Sequence, residues 1–203
     1  WHASKQITNI LEDQGKKDES VKFLKNHYNK ISFPNLNTVY DYASFLKNNK
    51  KFEESINYYT KVLNLIDEDH YLYPKATDGR GIAYERTDNW EKAEKDFLNS
   101  LRVLPDQAYV INYLAYSWIE KGINIEKSLK MLEKANSLKR NDGYITDSLG
   151  WALFKLKRYK DAKKYLQLAL MIMPSDPIIN DHYGDVLWMN KQPIQSRHYW
   201  NYV

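Results

Sequence analysis

Cysteine is absent from this chain of 203 residues, and long apolar runs are absent as well. Without cysteine, the chain forms no disulfide bond, no zinc site that needs thiolates and no catalytic cysteine site. Because no stretch of eighteen consecutive apolar residues occurs, the sequence offers no candidate for a membrane-spanning helix. Aromatic residues, by contrast, make up 14% of the chain. A chain so rich in aromatic rings is expected to fold around a core.

The charge balance of the chain is mildly basic, with 30 Lys and Arg residues against 26 Asp and Glu residues. The densest basic run extends from Lys155 to Lys164. We interpret both features as a solvated surface and predict no nucleic-acid partner. The alternative for the basic run is a patch that binds anionic lipid or nucleic acid.

The sequence repeats itself with a period of about 34 residues. Three of the later copies place a small residue at the same position of the repeat, namely Gly81, Gly150 and Gly184. Apolar residues recur in each copy at steps of three and four residues, which predicts two helices per copy. The predicted copies span about 1–35, 36–73, 74–107, 108–142, 143–176 and 177–203.

Turn residues and prolines mark the helix ends. Pro105 and Pro174 are predicted to end second helices, because proline lacks the N–H that would continue a helix. Pro193 is predicted to begin the last helix, at a position that tolerates proline. Turns between paired helices are predicted at Gly15, Asp88-Asn89, Gly122 and Lys157-Arg158.

The period and its pattern of Leu-Gly, aromatic, Ala, Phe and Pro resemble the tetratricopeptide repeat family. The resemblance covers essentially the whole chain. It implies an all-α fold, a right-handed superhelical solenoid of about six tetratricopeptide-like helix-turn-helix repeats in one domain. It further implies a non-enzymatic scaffold or adaptor that binds another protein or a peptide and needs no cofactor. A structural self-assembly element is the alternative.

Residues 143–151 and 179–185 resemble the C-terminal part of bacterial cell-envelope repeat proteins, which are often lipoproteins. This resemblance implies a periplasmic protein anchored at the outer membrane, with a cytoplasmic location as the alternative. Because the chain begins with Trp1 and not with Met, we expect it to be a fragment or a processed product. A targeting segment or lipid anchor would then have been removed, and this segment itself would not insert into a membrane.

One stripe of each first helix lines the concave surface in this fold, about 140° from the stripe that faces the partner helices. This surface is polar in the first half of the chain and aromatic, with acids between the rings, in the second half. Exposed aromatic surface usually marks a partner site. The alternative is that the rings pack between repeats, and Trp151 is the first candidate for packing. The predicted partner-binding residues are Tyr109, Asn112, Tyr116, Tyr144, Asp147, Trp151, Phe154, Lys155, Asp185 and Trp188.

Within this set, the rings are expected to anchor an extended or helical segment of the partner. Asn112, Asp147, Lys155 and Asp185 would fix its register by hydrogen bonds and charge.

Some members of the family bind the C-terminal carboxylate of a peptide with Lys, Asn and Arg from their first repeats. Lys5, Asn9 and Lys75 match that pattern, whereas Asp41 and Gly79 depart from it. An acid in such a pocket would repel a carboxylate, so we predict no carboxylate clamp.

Catalytic and metal-binding motifs are not found among the five histidines or elsewhere. His182 follows Asp181, which we expect to support the start of a helix and not to orient a catalytic base. We therefore predict no enzymatic activity, no metal and no cofactor. A pocket that holds His182 beside a free carboxylate would instead favour an enzyme.

The last predicted helix has no further repeat to cover it. Trp200 is expected to pack inward on its own helix pair, whereas Tyr199, Tyr202 and Val203 would flank a face with no partner in the chain. A longer native tail, which we expect because the chain starts at Trp1, or else the bound partner or a second copy of the chain would then cover this face. The last of these options is a homodimer through the C-terminal helix.

Overall fold

The computed structural model describes residues 1–201, and within that range it contains twelve α-helices and no β-strand. This confirms the all-α fold of tetratricopeptide-like helix pairs. The helices are α1 (His2–Asp13), α2 (Lys17–Tyr28), α3 (Leu36–Asn48), α4 (Phe52–Leu63), α5 (Tyr73–Glu85), α6 (Trp90–Val103), α7 (Ala108–Glu120), α8 (Ile125–Leu138), α9 (Gly143–Lys155), α10 (Tyr159–Ile172), α11 (Pro177–Met189) and α12 (Pro193–Trp200).

Each odd-numbered helix packs against the next even-numbered helix, so the predicted copies correspond to six helix pairs. The chain divides into two compact units, Trp1–Leu104 and Pro105–Val203, with three pairs in each. We call them unit 1 and unit 2. The single continuous domain expected from the repeats stays a prediction.

The turns within the pairs depend on residues with left-handed backbone conformation. Gly15 and Gly122 have φ of 76° and 69°, and Asp88 and Lys157 have φ of 58° and 60°. After Lys157, the N–H of Arg158 donates to the carbonyl of Leu153 at 2.9 Å, which satisfies one of the last carbonyls of α9. The four predicted turns are therefore confirmed.

The prolines also lie where the sequence predicted them. Helices α6 and α10 end at Val103 and Ile172, two residues before Pro105 and Pro174. Pro193 is the first residue of α12.

In unit 1, the first two pairs meet through stacked tyrosine rings. Tyr28 and Tyr42 lie 4.2 Å apart between ring centroids, and both pack edge-on against Tyr58. Further along the unit, Arg80 donates two hydrogen bonds to the buried carboxylate of Asp96, at 2.7 and 2.9 Å. This bidentate pair joins α5 to α6 and leaves neither charge uncompensated.

In unit 2, Gly150 lies where α9 crosses α10. A Cβ atom at this position would lie 2.7 Å from Cγ of Leu166 and 3.0 Å from its backbone nitrogen. Both distances are shorter than a normal van der Waals contact, so only glycine allows the two helices to approach this closely. The neighbouring Leu149 and Leu166 are buried in the same cluster.

At the end of the chain, Trp200 packs inward as predicted and donates from Nε1 to Asp185 at 3.2 Å. The expectation for Tyr199 is wrong, because its half-buried ring packs edge-on against Tyr183 with centroids 4.8 Å apart. Tyr199 faces α11, and Tyr183 on that helix is its partner within the chain. Tyr202 and Val203 lie outside the described residues.

Replacement of Gly150 by Leu should lower the free energy of unfolding by about 1–3 kcal/mol or more, because the added side chain has no room beside Leu166. Thermal unfolding followed by circular dichroism measures the change. Gly122→Asn is the matched control, since Gly122 has open space around it and Asn tolerates its positive φ. A Gly150→Leu variant that melts like the wild type would contradict the assigned helix crossing.

Candidate binding surface on the first helices of unit 2

The first helices of the three pairs in unit 2 lie side by side, with α7 against α9 and α9 against α11. All ten residues predicted to contact a partner lie on these three helices. We call these ten residues, together with Glu120, Asp181 and His182, the wall.

A buried hydrogen bond between two side chains joins the middle of the wall. Nδ1 of His182 on α11 lies 2.9 and 3.1 Å from the two carboxylate oxygens of Asp147 on α9. Both side chains are buried. A carboxylate buried in this way needs a hydrogen-bond partner, and His182 provides it.

Stacked rings extend this contact across α9. The His182 ring stacks on Trp151 at 3.9 Å between centroids, and Trp151 stacks on Phe154 at 4.7 Å. Nε1 of Trp151 donates to Glu120 at the end of α7, at 2.7 Å. One continuous set of contacts therefore fixes α7, α9 and α11 relative to one another within the unit.

The structure corrects the expected exposure of two wall residues. Asp147 and Trp151 were placed on a surface open to a partner, but both are buried, and Trp151 is only 7% exposed. Helix α9 has a neighbouring first helix on each side, so the middle of its stripe is covered. For Trp151, this burial agrees with the alternative that the ring packs between repeats.

The expected role of Asp181 is also wrong. Asp176 is the residue that caps α11, since its side chain accepts from the N–H groups of Ile178 and Ile179. Asp181 lies one turn further along the helix and is exposed. The carboxylate beside His182 is that of Asp147, 35 residues earlier, and no local motif in the sequence signals this contact.

Two wall residues on α7 are half-buried. Burial, followed by the charges of Glu120 and Asp147, raises the pKa of Tyr116, so its hydroxyl stays protonated. Among the residues that the structure describes, Oδ1 of Asn112 is buried and accepts no hydrogen bond. Phe154 on α9 is half-buried as well. These three half-buried side chains thus include an acceptor without a partner, a hydroxyl group and an aromatic ring.

Three rings of the wall are exposed: Tyr109 and Tyr144 are each 54% exposed and Trp188 is 50% exposed. Tyr109 donates to Asp142 at 2.9 Å. Trp188 lies 5.8 Å from Trp200 between ring centroids, which supports its orientation. At these three positions the expected exposed aromatic surface is present.

Two charged wall residues complete the surface. Lys155 lies 3.7 Å from Glu120 and has its ammonium 4.8 Å above the Trp151 ring. Asp185 is half-buried, and its pKa is raised first by burial and then by the charge of Asp181. The hydrogen bond from Trp200 offsets part of this increase.

The basic run beyond Lys155 lies at the turn before α10 and in the first turns of that helix, and three of its basic side chains have partners. Arg158 and Lys164 lie 3.1 and 3.5 Å from the carboxylate of Asp161. Lys163 donates to Gln192 at 2.7 Å. These contacts support the interpretation as a solvated surface, and the absence of a nucleic-acid partner stays a prediction.

In unit 1, the positions that match a carboxylate clamp form an internal ion pair. Lys5 donates to Asp41 at 2.8 Å, and Nε1 of Trp1 donates to the same oxygen at 3.0 Å. The ammonium of Lys5 is therefore already neutralised. Gly79, where the family pattern has Arg, lies directly against the buried ring of Tyr59. These contacts support the prediction that no clamp forms here.

Unit 1 also contains an acid with a perturbed pKa. Burial raises the pKa of Asp78 to about 6, and the charge of Lys47 offsets part of the increase. Asp78 lies on α5, and its charge acts on Tyr40 of α3 and on Tyr59 of α4.

No group of three or more His, Asp or Glu side chains in residues 1–201 is arranged to hold a metal ion. Over the same residues, every helix is too short or too polar to cross a bilayer.

Comparison with known proteins identifies the family. The tetratricopeptide repeat model matches residues 4–202, which is nearly the whole chain. The chain therefore belongs to the tetratricopeptide repeat family, in agreement with the helix pairs, the turns and the glycine at the helix crossing.

The relatives fall into sequence matches and structural matches. A TPR repeat-containing protein of Pseudomonas aeruginosa is 26% identical over 179 residues, which is 88% of this chain and 29% of that protein. The chain thus spans less than a third of the length of this curated relative. MamA from Desulfovibrio magneticus RS-1 has a TM-score of 0.69 at 14% identity, covering 82% of this chain and 91% of the other. YrrB, described as a TPR protein with an unusual peptide-binding site, has a TM-score of 0.64 at 16% identity, covering 83% and 84%.

The raised pKa of Asp78 predicts a pH dependence of stability. Because its pKa in the folded state, about 6, lies above the ordinary value of 3.8, the folded state binds the proton more tightly than the unfolded state. The free energy of unfolding should therefore rise by about 1–3 kcal/mol as the pH falls from about 7 through 6 towards 4.

Denaturant unfolding at a series of pH values measures this contribution. Asp78→Asn should be more stable than the wild type at pH near 7, and the gap should close as the pH falls. The control is Asp69→Asn, which removes an exposed acid of the same unit. Parallel pH profiles for the wild type and Asp78→Asn would contradict the prediction.

Proposed function

We propose that the chain is a non-enzymatic scaffold or adaptor that binds a segment of another protein on the wall of unit 2. The observation that carries this proposal is the exposure of Tyr109, Tyr144 and Trp188 on three neighbouring helices. Tyr and Trp are enriched among the residues that contribute most to binding energy. Membership of a family of protein-interaction repeats supports the proposal, as does the peptide-binding site named for YrrB.

The ten wall residues that were predicted to contact a partner divide into three groups by their proposed role. Tyr109, Tyr144 and Trp188 would contact the partner directly. Asn112, Tyr116, Phe154, Lys155 and Asp185 would line the surface between these rings and fix the register of the bound segment. Asp147 and Trp151 would act indirectly, because they hold α9 and α11 in place through His182.

Asn112 has a specific part in this proposal. Its buried Oδ1 accepts no hydrogen bond within the described residues, and a buried acceptor left unpaired costs free energy. A backbone N–H of a bound peptide would satisfy it if the half-buried Asn112 side chain rotates to bring Oδ1 to the surface, and an extended segment that binds through its main chain carries such N–H groups.

The stacked rings of the wall also favour tight binding. Because the His182, Trp151 and Phe154 stack is already formed in the free chain, little side-chain entropy remains to be lost on binding. A location in a bacterial envelope assembly is supported only by the resemblance of residues 143–151 and 179–185. Self-assembly through the C-terminal helix stays the alternative, and a partner on the wall does not require it.

Combined replacement of Tyr109, Tyr144 and Trp188 by Ala should abolish partner capture and leave the helical signal and melting temperature nearly unchanged. Each truncation at a binding hot spot typically costs about 2 kcal/mol or more. Capture is measured by affinity purification from an extract of the source organism, with quantitative mass spectrometry of the bound proteins.

The matched control replaces three exposed apolar residues of the second helices, Leu168, Met171 and Ile194, by Ala. This control should retain the captured proteins. If the wall variant stays folded and still captures the same proteins at the same yield, the binding surface lies elsewhere.

A further inference from the structure

We propose that the partner segment is cationic, and that one of its Lys or Arg side chains docks against Trp188 beside Asp181 and Asp185 on α11. This inference rests on the proposed function and names the chemistry of the partner at the same wall.

The first support is a separation of charge within unit 2. Its first helices α7, α9 and α11 carry four acids and one lysine, Lys155; Asp147 is buried against His182, so three of the acids remain towards the surface. Its second helices α8, α10 and α12 carry three acids and seven bases. The wall is therefore an acidic surface on a basic unit. Such complementarity selects a positively charged segment and repels an acidic one.

The second support comes from two lysines of the chain that already occupy sites of this kind. The ammonium of Lys155 lies 4.8 Å from the Trp151 ring and 3.7 Å from Glu120. The ammonium of Lys139 lies 3.8 Å from the Tyr109 ring and 3.8 Å from Asp142. Lys155 lies over the face of Trp151, whereas Lys139 donates to the hydroxyl of Tyr109 at the end of that ring. At both places an aromatic side chain and a carboxylate together hold one ammonium group.

A third place on the same surface, at Trp188, has no ammonium group from the chain itself. Trp188 is half exposed, and Asp185 and Asp181 lie about one and two turns before it on α11. Within residues 1–201, no Lys or Arg side chain lies within ion-pair distance of either acid or over the Trp188 ring, although the charge of Lys155 acts on Asp185 from a longer distance. A partner's Lys or Arg would supply the ammonium or guanidinium that the chain itself supplies at the other two places.

The repulsion between the two acids favours a cationic side chain at this place. Asp185 is half-buried, and the repulsion between it and Asp181 disfavours the charged form of Asp185. A cation placed between the two carboxylates relieves that repulsion, whereas an acidic or neutral side chain does not. The ring of Trp188 adds a cation–π contact, and Trp is the side chain that makes the strongest contacts of this type.

The test measures binding of three synthetic peptides to the purified full chain. Each peptide has about twelve residues, is acetylated and amidated to remove its terminal charges, and differs from the others only in carrying several Lys, Gln or Glu residues. Binding is followed by the indole N–H signal of Trp188 in NMR spectra, at about 50 mM salt so that charge interactions are only partly screened. We expect the Lys peptide to bind at least about fivefold more tightly than the Gln peptide, and the Glu peptide to bind more weakly still.

Variants then locate the site. The double variant Asp181→Asn, Asp185→Asn should weaken Lys-peptide binding by about fivefold or more, as should Trp188→Leu when binding is followed by calorimetry. The matched control Glu126→Gln, Glu133→Gln removes the same charge from exposed positions of α8 and should change binding by less than about twofold.

Two results would overturn the inference: equal binding of the Lys and Gln peptides, or equal losses in the α8 control and in the Asp181 and Asp185 variant. A loss on mutation of the acids with none in Trp188→Leu would also overturn it, because the ring would then not be part of the site. The proposed function fails separately. It fails if the variant lacking Tyr109, Tyr144 and Trp188 retains its captured partner, whatever the charge of that partner.

Discussion

The stacking of helix pairs is the constraint on which the rest of unit 2 depends. A single pair leaves one apolar face uncovered, so the pairs must pack against one another. In unit 2 this packing brings α9 close to a first helix on each side. The buried contact between Asp147 and His182 follows from that proximity, and Gly150 allows the close crossing of α9 and α10 within the pair.

This constraint also separates the residues that hold the wall from those that face solvent. Trp151 lies in the middle of α9 and is covered by its neighbours, whereas Tyr144 at the start of α9 and Trp188 at the end of α11 remain exposed. The buried stack fixes the backbone on which the exposed rings stand. A surface formed in advance in this way loses less entropy when a partner binds.

The helix pairs, the turns at Gly15 and Lys157 and the helix ends before Pro105 could be predicted from the sequence, because each depends on neighbouring residues in the chain. The sequence left the burial of Trp151 only as an alternative to its exposure, since periodicity gives an angle around one helix but no distance to the next. Contact between Asp147 and His182 depends on the registry of α9 and α11, which no local pattern encodes. Predictions from repeat positions were therefore reliable for elements and less so for the exposure of individual side chains.

The central claim is that a partner binds on the first helices of unit 2. Hydrogen–deuterium exchange of the chain, alone and with its captured partner, tests it most directly, because exchange reports which segments become protected. We expect added protection in α7, α9 and α11 and little change in α8, α10 and α12. Protection confined to the second helices or to unit 1 would contradict the claim.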